Sequence, residues 1–147
     1  MTNSKAELER VALKDWYKPL LDAVVKEMLA RKAVVGTAVE ATPVWMFPHK
    51  ILLAKVWGTG QKTRFIWTIS GKYVITDYIA GSTAATPKDA VRYFGLKWQM
   101  DAERLFAVAK SPGSTADSRT QMEIYANKLV QDGESLYDLT ERDDIWS

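Results

Sequence analysis

Four short runs rich in β-branched and aromatic residues follow one another in the first half of the chain, and they limit its fold more than any other feature. Glycine and proline separate the runs, which is typical of strands joined by turns. Residues 58–62 are predicted to join the second run to the third, and residues 70–72 to form a tight hairpin before the fourth. The pattern predicts an antiparallel sheet of three or four strands. The runs are TAVEATPVWMFP, KILLAKVW, TRFIWTIS and KYVITDYI.

The alternation of side chains within these runs predicts which way each strand faces. KILLAKVW is apolar on both faces, so it is expected at the centre of the sheet. In TRFIWTIS, the face that carries Phe65, Trp67 and Ile69 is expected to meet the helices. Lys55 is in phase with Trp57, which favours a position on the solvent side for that tryptophan.

Before the sheet, apolar residues recur about every four positions over residues 6–32, which indicates a helical segment. Pro19 interrupts this pattern because proline lacks an amide donor and clashes with the preceding turn. We therefore expect a first helix that ends or kinks near Tyr17 and a second one that opens with Pro19.

After the sheet, two further helices are predicted. Thr86 is placed to cap the first, with Pro87 at its first position and Asp89 at its third. Beyond a Pro-Gly break, Ser114 is expected to cap the second, in which Gly133 favours a bend or a split. The buried stripe of the first is predicted to be Val91, Phe94, Trp98, Ala102, Leu105 and Ala109.

Together these elements predict a single α+β domain over residues 1–147: an N-terminal helical segment, the antiparallel sheet, and two C-terminal helices packed on one sheet face. Hydrophobic residues make up 47% of the chain and charged residues 26%, the balance of a soluble globular protein. The polar N-terminus and the lack of a long apolar stretch predict a cytoplasmic protein with no membrane segment.

Charge is distributed unevenly along the chain. Residues 1–73 contain 12 Lys and Arg against 6 Asp and Glu, whereas residues 74–147 contain 8 against 12. No acid lies between Glu40 and Asp77, so this stretch is the candidate basic patch. Its basic residues are Lys50, Lys55, Lys62, Arg64 and Lys72.

The residue content argues against most kinds of catalytic site. The chain has no cysteine, which excludes disulfides, thiolate metal sites and cysteine nucleophiles. His49 is its one histidine and has no acid within eight residues on either side, so no metal site and no cofactor are predicted. The serines lack the G-x-S-x-G pattern, and Gly58 and Gly60 lack the spacing of a phosphate loop. No catalytic residue is predicted.

Three functions are compatible with the remaining residues. The favoured one is a non-enzymatic module that binds a protein partner or a second copy of itself through Trp57, Trp67, Asp77, Tyr78 and Arg92. One alternative is binding of single-stranded nucleic acid by the aromatic, basic sheet face. The other is an enzyme with an acid–base site near Asp77, although an acid at a strand end more often binds turn amides or a nearby arginine. A C-terminal tryptophan, Trp146, is a further candidate contact unless its segment folds back.

Three motifs carry a resemblance to a known family. They are W-x-I-S-G from Trp67, T-D-Y-I from Thr76 and P-x-x-A-x-R-x-F-x-x-x-W-Q from Pro87, and they cover about the central third of the chain. The chain resembles an uncharacterised family of small bacterial proteins, a domain of unknown function. Ile75 stands where that family often has a proline. The resemblance implies a bacterial cytoplasmic origin and an α+β fold, and it supplies no activity, ligand or catalytic residue.

Overall fold

The helices and strands of the chain follow the predicted order. The computed structural model describes residues 4–34, 36, 38–72 and 74–146. A helix precedes a four-stranded antiparallel sheet, and two helices that pack together follow it, which confirms the α+β class. The elements are α1 (Ser4–Ala30), β1 (Val39–Phe47), β2 (Ile51–Gly58), β3 (Ile66–Gly71), β4 (Asp77–Ala80), α2 (Pro87–Ala109) and α3 (Ala116–Thr140).

The chain divides into two compact units, Met1–Pro87 and Lys88–Ser147. The first contains α1 and the whole sheet, and the second contains α3 and all of α2 except its first residue. The prediction of one domain over residues 1–147 stays a prediction. Among the described residues, no helix has the length and apolar character that a membrane span requires.

Each strand of the sheet pairs antiparallel with its neighbour in the chain, in the order β1-β2-β3-β4. β2 is interior, as its two apolar faces predicted, and Lys55 is its one residue that is not buried. β1 and β4 form the edges of the sheet. The pairing of β1 with β2 shifts between Pro43 and Trp45, which leaves Val44 without a partner in a bulge.

The helix α1 packs on the sheet face opposite to the one predicted. Val24 and Met28 of α1 form a buried cluster with Val56 and Ile66, so the face that carries Ile66 meets the helix. Trp67 and Ile69 lie on the other face and are also buried. For α1 the prediction was wrong, because Thr68, which looks polar in sequence, is buried on the α1 face. Its hydroxyl donates a hydrogen bond to the carbonyl of Ala54, which offsets the loss of water.

α1 is one helix rather than two, since it continues from Ser4 to Ala30 through Pro19. Proline removes one helical hydrogen bond and leaves the carbonyl four residues earlier without its usual donor. That carbonyl belongs to Asp15, which is exposed, so water can bind it. Burial of Leu21, Val24 and Met28 on the sheet stabilises the turns that follow, which a pattern of local propensity does not include.

The link between β3 and β4 is not the predicted tight hairpin. β3 ends at Gly71 and β4 begins only at Asp77, so the fourth strand has four residues instead of eight. Tyr73, which falls in the predicted strand, lies outside the described residues, as does Thr37 at the start of the first run. Gly71 is required because a Cβ at this position would collide with the backbone of Lys50. The geometry of a tight turn is not the reason.

In the second unit, α2 begins at Pro87 as predicted, and its predicted apolar stripe is buried at five of six positions. The cap of α3 is Thr115 rather than Ser114: the Thr115 hydroxyl accepts a hydrogen bond from the amide of Ser118 at 3.1 Å. The Ser114 hydroxyl instead donates to the carbonyl of Val108 at the end of α2. α3 continues through Gly133 without a split.

Candidate functional site

The five residues predicted to bind a partner differ in burial and lie in two units. Trp57 and Trp67 are buried, with 7% and 1% of their surface exposed. Asp77 and Tyr78 lie on the short edge strand β4 and are half-buried. Arg92 lies on α2, in the other unit, where it forms an ion pair with Asp89 at 3.8 Å.

Trp67 has a structural role at the end of the sheet. Its indole nitrogen donates to the carbonyls of Gly81 and Ala84, each at 3.2 Å. The ammonium group of Lys55 lies 5.0 Å from the centre of its ring and 4.5 Å from that of Phe65. A lysine therefore covers the rings that the nucleic-acid hypothesis would use for base stacking.

Asp77 and Tyr78 point to opposite faces of the sheet because they are neighbours on a strand. Tyr78 pairs with Thr68 and packs against the cluster formed with α1, whereas Asp77 pairs with Ile69 on the other face. The Asp77 carboxylate accepts a hydrogen bond from the amide of Tyr78 at 2.8 Å. This is the turn-stabilising role expected of an acid at the start of a strand.

His49 and Trp146 each contact a residue of their own unit. His49 has φ of 64° in the turn between β1 and β2, where it follows a proline, and its ring centre lies 5.6 Å from that of Trp16 on α1. The indole of Trp146 donates to the carbonyl of Leu139 at 2.9 Å, so the C-terminal segment folds back onto α3. Within that segment, a hydrogen bond from Arg142 lowers the pKa of Asp144 below its usual value.

The outer edge of β1 offers backbone hydrogen-bonding groups for a partner. The carbonyl of Ala38 accepts a hydrogen bond from the amide of Thr59, across the pair that β1 forms with β2. In an antiparallel pair, alternate residues direct both of their backbone groups to the partner strand. Val39 and Ala41 are out of phase with Ala38, so their amides and carbonyls point away from the sheet. In the part of the chain that the structure describes, no strand lies beyond β1.

An open hollow flanks β1 on the α1 side of the sheet. Its volume is about 400 Å³, and both Val39 and Ala41 contribute to its wall. We call it the helix-side hollow. The α1 residues that line it are Lys18, Leu21, Asp22, Val25 and Lys26.

A second open hollow flanks β1 on the other face and has a volume of about 460 Å³. We call it the tryptophan-side groove. Its floor includes Trp57, whose indole nitrogen donates to the Glu40 carboxylate at 2.8 Å and whose ring lies 5.6 Å from the ammonium of Lys62. Its lining includes Thr42, Val44, Lys55, Trp57, Lys62 and Phe65.

The sequence analysis named Trp57 and the basic patch as candidates, and it did not point to the edge of β1. One signal for it was available in Pro43, because proline cannot donate to a sheet ladder and is confined to edge strands and bulges. The two hollows had no such signal, since each joins residues from elements that are far apart in the chain.

The chain belongs to a family without an assigned function. The family model described as "Domain of unknown function (DUF4826)" matches residues 12–146, nearly the whole chain. The predicted resemblance to an uncharacterised domain family is thereby confirmed. No curated protein matches the chain, and no solved structure does.

Proposed function

We propose that this chain is a non-enzymatic protein-binding module that pairs an extended segment of a partner with the outer edge of β1. The observation that carries the proposal is the phase of β1, which directs the amides and carbonyls of Val39 and Ala41 away from the sheet. Strand addition of this kind obtains its affinity from backbone hydrogen bonds and its specificity from side-chain sites on alternate faces. The two hollows beside β1 supply such sites.

Two observations favour a protein partner over nucleic-acid binding and over an enzyme. Stacking of nucleic-acid bases needs open aromatic faces, whereas Lys55 already lies over Phe65 and Trp67. An acid–base site at Asp77 would need a cleft, and Asp77 lines neither of the two hollows described here. We further propose a bacterial cytoplasmic location, as the family resemblance implied.

The proposal is tested with peptides of unbiased sequence. Random peptides long enough to form one strand are displayed and selected on the purified protein, and amide hydrogen exchange is then measured by NMR with and without the selected peptides. Bound peptides should slow exchange at Val39 and Ala41, because both amides then gain an acceptor. Selected peptides that leave both amides unchanged would contradict the proposal.

A matched pair of variants adds a second readout. Ala41→Pro removes one outward amide without disturbing the bonds to β2, and Pro43 shows that this phase of the strand accepts proline. Ala41→Val, a change of similar size, keeps the amide. We expect the proline variant to bind selected peptides about fivefold more weakly, since each such hydrogen bond contributes about 1 kcal/mol. Equal affinities for the two variants would argue against edge pairing.

A further inference from the structure

We infer that the segment added to β1 alternates acidic and aliphatic side chains, with the acids over the tryptophan-side groove and the aliphatic residues in the helix-side hollow. This inference rests on the proposed function, because it names the chemistry of the partner that the edge of β1 selects. A strand paired with β1 sends successive side chains to opposite faces of the sheet. Each face of the added strand therefore meets a different hollow.

The tryptophan-side groove has the electrostatic character that selects acids. Lys55 and Lys62 hold their ammonium groups over aromatic rings, at 4.5 Å from Phe65 and 5.6 Å from Trp57. In the described part of the chain, neither lysine forms an ion pair with a carboxylate. The nearby Glu40 already accepts the indole hydrogen of Trp57. Lys55 and Lys62 both line the groove, so they are the cations that a partner carboxylate would meet there.

The helix-side hollow favours aliphatic side chains. Its apolar wall is formed by Leu21, Val25, Val39 and Ala41. At its rim, Lys18 is paired with Asp22 at 3.3 Å, and Lys26 is exposed. A branched aliphatic side chain opposite Ala41 would bury apolar surface on this wall.

The position of Pro43 limits the length of the paired segment. Val39 and Ala41 each offer one amide and one carbonyl outward, whereas Pro43 is in the same phase and offers a carbonyl alone. The bulge at Val44 then bends β1. The partner segment is therefore short, about five residues in direct pairing.

Charge disfavours a second copy of the chain as the occupant. Two β1 strands paired antiparallel about a twofold axis would place equivalent sheet faces on the same side. Lys55 and Lys62 of both copies would then lie on one face, and four like charges there disfavour the pairing at low ionic strength. A partner that carries acids on that face is the complementary occupant.

The test compares three labelled peptides of about nine residues by fluorescence anisotropy. In the first, valine and glutamate alternate; in the second, lysine replaces glutamate; in the third, the valines and glutamates form two blocks. We expect the first to bind about tenfold more tightly than either of the others at low ionic strength, and this margin over the lysine peptide to shrink at high salt.

Variants of the protein test whether Lys55 and Lys62 cause the preference for glutamate over lysine. Lys55→Gln with Lys62→Gln should reduce the preference for glutamate over lysine to about twofold or less. Lys5→Gln with Lys110→Gln makes the same change in net charge at two exposed sites and should leave the preference intact. Because Lys55 also contacts two rings, Lys62→Gln alone is a second test. It should reduce the preference for glutamate over lysine by about half as much as the double change does.

The outcomes separate this inference from the proposed function. Unbiased selected peptides that protect Val39 and Ala41, with no preference for glutamate, would overturn the inference and leave the proposed function standing. A lack of protection by any peptide would overturn both. A dimer in analytical ultracentrifugation that Ala41→Pro converts to monomer would also overturn the inference, because a second copy would then occupy the edge.

Discussion

Gly95 of α2 and Gly133 of α3 pack backbone against backbone within the second unit. A Cβ added to Gly133 would lie 2.9 Å from the carbonyl oxygen of Gly95, and one added to Gly95 would lie 3.1 Å from that of Gly133. Real Cβ atoms approach backbone this closely only at a cost, so the two glycines allow the helices to cross at short range. Gly133 is therefore a contact point rather than a weak point of α3.

The first prediction concerns this crossing. Gly133→Ala should lower the free energy of unfolding by about 1–3 kcal/mol, because the methyl group forces the backbones apart. We expect this loss of stability even though alanine favours a helix over glycine by about 1 kcal/mol. Urea unfolding followed by circular dichroism measures it. Gly113→Ala is the control, since nothing lies within 4 Å of a Cβ at that position. A Gly133→Ala protein that is more stable than the parent would refute the close crossing.

The second prediction concerns the contact of α1 with the sheet. Met28 is fully buried with Val24, Val56 and Ile66. Met28→Ala should lower the free energy of unfolding by about 2–5 kcal/mol through lost burial and a residual cavity. Leu8 on the same helix is 70% exposed, so Leu8→Ala should change stability by less than about 0.5 kcal/mol. Similar losses for the two variants in thermal or urea unfolding would mean that α1 does not pack as described.

The third prediction concerns the proline inside α1. Pro19→Ala restores an amide in the middle of a helix and should raise the free energy of unfolding by about 1–3 kcal/mol. The helical signal at 222 nm should change little, because α1 is already continuous. A large gain in helical signal without a gain in stability would instead support two separate segments, as the sequence pattern suggested.

The fourth prediction concerns the edge of β1 in the protein alone. The amides of Val39 and Ala41 should exchange with solvent hydrogen faster than those of Glu40 and Thr42, since only the latter pair donates to β2. NMR-detected exchange at a pH where all four amides are visible measures the difference. Equal protection along residues 39–42 would mean that another segment already covers this edge.

Much of the architecture follows from local pattern. The apolar run KILLAKVW predicted the interior strand β2, and Pro87 after Thr86 predicted the start of α2. Both predictions succeed because they depend on interactions within a few residues: the period of a strand and the geometry of a helix terminus. The charge layout is likewise a property of sequence, and Lys55 and Lys62 belong to the candidate basic patch.

The tertiary structure decided the features that depend on residues distant in the chain. The face of the sheet that meets α1, the crossing of Gly95 with Gly133 and the burial of Trp57 each require knowledge of which elements become neighbours. The edge at Val39 and Ala41 belongs to this group, because whether a strand is interior or outermost is a property of the assembled sheet. A sequence encodes the preferences of each segment, but packing selects among the surfaces that those segments offer, and so the exposed edge became visible only in the fold.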